Sequence, residues 1–194
     1  MALISRDEAL QILGSVASQL RDCHVEAWQA YRDFVSPHMP LATIGGKAAT
    51  MHELVIQRVR HHSVEMSGVK VRENICGGRF ILEVKNQIII HFKKLTEDFH
   101  TTNNPTENSD KFDLQQEIEG FPAWPRLCAG YAFGELGTSM EGPFLALLIG
   151  KSCEWYVDLS SGEGTGILPF PTPDRLGPDE AAAAIHIADT GSES

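Results

Sequence analysis

Arg79-Phe80-Ile81-Leu82-Glu83-Val84-Lys85-Asn86-Gln87-Ile88-Ile89-Ile90-His91-Phe92-Lys93-Lys94-Leu95 is the stretch that decides the fold. Two β-rich runs, residues 80–84 and 88–92, flank Lys85-Asn86-Gln87. Asparagine tolerates the positive φ that a tight turn needs, so a β-hairpin is expected over residues 79–95. The same segment is a charge anomaly. Residues 69–95 hold six Lys/Arg against two Asp/Glu, whereas residues 1–68 are nearly balanced and residues 96–194 carry four bases against seventeen acids. A basic island is set in a chain whose net charge is −10.

Upstream of the hairpin the apolar period is helical. Ser5-Arg6-Asp7-Glu8 has the form of a capping box, and Leu13, Val16, Ala17, Leu20, His24, Ala27, Trp28, Tyr31 and Phe34 follow at helical spacing. One long helix is expected over residues 6–35, ended by Ser36-Pro37. Met51, Leu54, Val55, Val59 and His62 mark a second, and the short Pro/Gly loop between them suggests an antiparallel pair filling residues 1–66.

Downstream, the polar residues 96–109, a short acidic helix near residues 109–117, and Gly120, Pro122 and Pro125 make an irregular connection. Three further strands are expected over residues 126–133, 144–149 and 152–159. The fold class is therefore α+β: a helix pair, then an antiparallel sheet of about five strands over residues 67–159 in the same domain. Residues 160–194, rich in Pro, Gly and Ala, read as an irregular tail.

A chain of 194 residues with 42% hydrophobic and 22% charged residues has ordinary globular composition. No apolar run approaches the roughly 18–20 residues that span a bilayer, and the N-terminus lacks a secretion signal, so cytoplasmic residence is expected and no membrane contact. Cys23, Cys76, Cys128 and Cys153 stand singly among apolar neighbours and read as reduced core thiols.

Catalytic motifs fail one after another. His52-Glu53 begins like a zinc-protease helix, but position 56 is isoleucine where the second histidine belongs. His61 and His62 diverge around a helix. Gly45-Gly46-Lys47 lacks the rest of a phosphate-binding loop, and residues 162–166 lack the strand-to-helix context of a dinucleotide site. Glu83-Val84-Lys85 matches the acid and lysine spacing of metal-dependent nucleases, the carboxylate for magnesium and the lysine beside the attacking water. The upstream acid that such a site needs is missing, since residues 66–82 hold only Glu73. No catalytic residue, metal or cofactor is assigned, and the protein is expected to act without chemistry of its own.

Phe92-Lys93-Lys94-Leu95, Asn104-Pro105-Thr106, Gly120-Phe121-Pro122, Arg126-Leu127, Gly130-Tyr131 and Gly137-Thr138, in that order, carry a resemblance. Over residues 79–158 the chain resembles the small bacterial antitoxin partners of helix-turn-helix/ImmA-IrrE-type metallopeptidase toxins. The helical N-terminus and the tail lie outside it.

The resemblance implies a protein-binding antitoxin that neutralises a cognate toxin by direct contact, with phage defence as one setting and the zinc chemistry left to the partner. Arg79, Lys85, Lys93, Lys94 and Arg126 are the expected contacts, with Trp124 and Tyr131 as aromatic anchors. Two alternatives remain: a nuclease using Glu83 and Lys85, and a DNA-contacting regulator using the basic hairpin. The plainest alternative for the lysines is protection of an edge hairpin from aggregation.

Overall fold

The computed structural model describes residues 3–38, 43–75, 78–96, 98–101, 107–134 and 137–160. The expected tail beyond Ser160, the Asn104-Pro105-Thr106 motif and Cys76 lie outside them. The chain is α+β, with helices α1 (Arg6–Leu13), α2 (Ser15–Ala30), α3 (Ile44–His62) and α4 (Glu107–Asp113). Its strands are β1 (Val69–Ile75), β2 (Arg79–Val84), β3 (Ile88–Lys94), β4 (Arg126–Phe133), β5 (Met140–Ile149) and β6 (Ser152–Asp158).

The expected single N-terminal helix is two helices. Ser5 Oγ accepts from the Glu8 amide, as a cap should. Gly14 then adopts φ 55° and ψ −124°, a conformation no helix contains, and its amide closes α1 on the Leu10 carbonyl. The apolar spacing runs through the break, so periodicity alone reads it as continuous. After α2 the backbone widens into one π turn over Tyr31–Val35. Thr43 caps α3 through the Gly46 amide.

The strands lie in sequence order, β1-β2-β3-β4-β5-β6, which makes six among the described residues where about five were expected. The sheet is mixed: β3 and β4 run parallel while every other neighbouring pair is antiparallel. A parallel pair cannot be joined by a hairpin and needs a crossover. The segment between β3 and β4 carries α4 across one face of the sheet.

The hairpin forms where expected, with Lys85 and Asn86 at φ 51° and 53° and the Gln87 amide on the Val84 carbonyl. It is not an edge. β1 covers one side of it and β4 the other, so the outer strands are β1 and β6, and the lysines of β3 guard no open edge.

The first face of the sheet holds the main core. Leu13, Val16, Leu20 and Ala27 from α1 and α2, and Met51, Val55 and Val59 from α3, pack on Leu82, Val84, Ile88, Ile90, Phe92, Leu127, Ala129, Leu145 and Leu147. Burying one such leucine or isoleucine contributes about 1.5–3 kcal/mol. The alternation of β2 and β3 sends the intervening residues to the second face, under α4.

Candidate functional site on the α4 face of the sheet

On the second face two apolar clusters form and do not merge. One gathers Ile81, Ile89 and Phe112 with Phe121 and Trp124. The other gathers Leu95, Phe99, Cys128, Ala146 and Leu148 with Phe144 and Tyr156. The strand register shows what divides them. His91 pairs with Ile81 of the first cluster on one side and with Cys128 of the second on the other. A histidine therefore stands in mid-sheet where an aliphatic residue would join the two.

Arg79 and Lys93 project on the same face, each two residues along its strand from the Ile81–His91 pair. The Arg79 side chain is only 9% exposed, with its guanidinium 4.5 Å from the Phe112 ring centre. Nη2 donates to Ser109 Oγ at 2.8 Å and meets Asp113 Oδ1 at 3.4 Å. Among the described residues, Nε and Nη1 have no partner although buried, and neither has His91 Nδ1. Burial, followed by the nearby Arg79 and Lys93 charges, holds the His91 pKa well below the ordinary histidine value. Burial and Arg79 likewise lower Lys93, against the opposing pull of Asp113.

The remaining expected contact residues are scattered. Arg126 is 2% exposed and works inside the protein: Nη1 donates to the Lys111 and Phe112 carbonyls and Nη2 to the Gln116 carbonyl, at the C-terminal end of α4. Its guanidinium also lies against the Phe112 and Phe121 rings. Tyr131 is 1% exposed, on the opposite face, and its hydroxyl donates to the Ala48 carbonyl of α3. Trp124 is half-buried in the Phe112 cluster. Lys94 is half-buried on the helical side, 5.9 Å from the Phe133 ring centre. Lys85 is exposed and donates to the Ile12 carbonyl of α1 at 2.6 Å. The basic segment is thus no single surface: of the expected contacts, Arg79 and Lys93 stand across from each other on β2 and β3 beside His91, and the buried Arg126 reaches the same Phe112 ring as Arg79.

Glu83 and Lys85 are not brought together either. Glu83 shares the α4 face with Ile81, is 2% exposed, and pairs with Arg72 of β1 at 2.8 Å. Lys85, displaced by the positive-φ turn, reaches to α1 on the helical side. Among the described residues no three His, Cys, Asp or Glu side chains gather where a metal ion would be held. His62 instead meets Glu26 of α2 at 3.1 Å. Burial pushes the Cys23 and Cys128 thiols up to about 12 and the half-buried Cys153 up to about 11, values of unreactive thiols. Among the described residues, no helix is long and apolar enough to cross a membrane.

Compared with family models, curated proteins and solved structures, the chain matches none.

Gln115 was invisible to pattern reasoning. Its side-chain amide completes the start of β4, and a glutamine just past a short polar helix carries no signal of that role.

Proposed function

We propose that the protein works by binding and neutralises a cognate toxin by direct contact, as its resemblance to the antitoxin partners of metallopeptidase toxins implies. Several residues carrying that resemblance build the α4 face: Phe121 lies against Phe112, Arg126 holds the end of α4, and Gly130 gives room to Leu95. One observation carries the binding reading. Arg79 and His91 are buried in mid-sheet with N–H or ring-nitrogen groups left over after the internal partners are counted. Buried polar groups are nearly always satisfied, so donors left over on a well-packed face favour an outside partner.

Co-expression with the metallopeptidase-type product of a neighbouring gene tests this reading. The expected results are relief of growth arrest and a complex that survives size-exclusion chromatography. Growth arrest that persists when both proteins are made, with no complex formed, ends the antitoxin assignment.

A further inference from the structure

We propose that Arg79, His91 and Lys93 form an oxyanion-binding site on the α4 face of the sheet, one that takes a phosphoryl or carboxylate group. The inference stands whether or not the partner is a toxin.

Three observations converge. The first is placement: the three residues occupy neighbouring positions on β2 and β3, and His91 stands between Ile81 of one apolar cluster and Cys128 of the other. The His91 ring packs edge-on against Phe112 of the first cluster, ring centres 5.2 Å apart, while its Nδ1 finds no partner among the described residues. The second is unspent donor capacity. Arg79 uses Nη2 on Ser109 and Asp113, leaving Nε and Nη1 buried with no acceptor among the described residues. An unmet buried donor destabilises the fold, and more so where it carries charge. The third is charge. Among the described residues, Asp113 is the carboxylate found to act on Arg79 and Lys93, and Arg126 adds a further positive charge near His91, so the cluster retains a positive excess inside a chain of net −10.

An oxyanion answers all three. Its oxygens accept from several N–H groups at once, and guanidinium presents donors in the planar fork that suits both phosphate and carboxylate. The half-buried Lys93 gives the cluster its approach from solvent. Phe112, packed on the Arg79 guanidinium, holds that side chain in place before any ligand arrives.

The test is thermal unfolding of the full chain in inorganic phosphate, and separately in acetate, against chloride at matched pH and ionic strength. A saturable rise in midpoint is expected with at least one of the two, because a ligand that binds only the folded state stabilises it by mass action. Excluded-salt stabilisation by phosphate does not saturate and is thereby distinguished. Protection by phosphate alone assigns a phosphoryl group, and protection by acetate at equal or lower concentration assigns a carboxylate. Lys93→Met should raise the concentration needed at least tenfold. Arg79→Lys, which keeps the charge and loses the fork, should act in the same direction. No saturable gain from either anion, or a gain that Lys93→Met leaves unchanged, overturns the proposal.

Discussion

Gln115 closes the start of β4 on Arg126. Its side-chain carbonyl accepts the Arg126 amide at 2.9 Å, and its Nε2 donates to the Arg126 carbonyl at 2.8 Å and the Leu148 carbonyl at 3.2 Å. The side chain acts as a one-residue strand wedged where β4 and β5 end their ladder, and Gln115 takes φ 57° to place it. Gln115→Leu keeps the bulk and removes all three bonds. The expected loss is about 2–3 kcal/mol, since each net bond is worth about 1 kcal/mol. Urea unfolding checks it, and an unchanged midpoint would refute this account.

Arg126 should prove more costly to replace. Its guanidinium satisfies the carbonyls of Lys111, Phe112 and Gln116, where the α4 dipole is negative. Arg126→Met retains much of the packing on Phe112 and Phe121 but strands three carbonyls, and a loss of at least about 3 kcal/mol is expected. Arg126→Lys should recover only part of it, because one ammonium cannot replace the fork. If Arg126 instead served as an outside contact, both variants would weaken partner binding at normal stability.

Gly130 is fixed by a close approach of β3. A Cβ there would stand 2.7 Å from the Lys93 carbonyl oxygen and 2.8 Å from the Leu95 side chain. Leucine can turn away, but the Lys93 carbonyl belongs to the strand paired with Gly130 and cannot. Gly130→Ala is expected to cost about 1–3 kcal/mol through overpacking, read as a lower urea midpoint at unchanged slope. A midpoint equal to that of the parent would show that β3 and β4 separate freely.

These residues also show what a sequence can express. The β2–β3 hairpin was legible because alternation, β-branched residues and an asparagine turn agree. The parallel β3–β4 pairing was not, although the long polar connection holding a short helix was its mark: antiparallel neighbours rarely need so many residues between them. The break at Gly14 was hidden because apolar spacing continues through it. At the candidate site, charge alone marks Arg79, Lys85, Lys93, Lys94 and Arg126 alike. Strand alternation separates Lys93 from Lys94, and the turn carries Lys85 to the helical side. Neither sorting shows in a count of charges, and the part played by His91 depends on which strands lie beside it.

Buried histidines give the fold a definite pH response. The His24 ring is fully buried near Phe92 and Tyr131, and its Nδ1 donates to the Leu20 carbonyl at 2.8 Å. Nε2 is therefore the unprotonated nitrogen, and it has no partner among the described residues. Burial lowers the His24 pKa from 6.5 to about 4, with His52 nearby adding to the effect. Between those values the unfolded chain binds a proton that the folded chain refuses. The His24 contribution is then whole above pH 6.5, falls as the pH drops through the window, and levels off near pH 4. The shift corresponds to about 3 kcal/mol. Burial lowers His52 as well, with Lys93 adding to it, and holds His91, faced by Arg79, Lys93 and Arg126, well below its ordinary value. All three act with the same sign. Urea midpoints taken from pH 7.5 to 4.5 should fall in the parent and fall less in His24→Leu. Parallel curves for the two proteins would mean that His24 takes up its proton without leaving the fold.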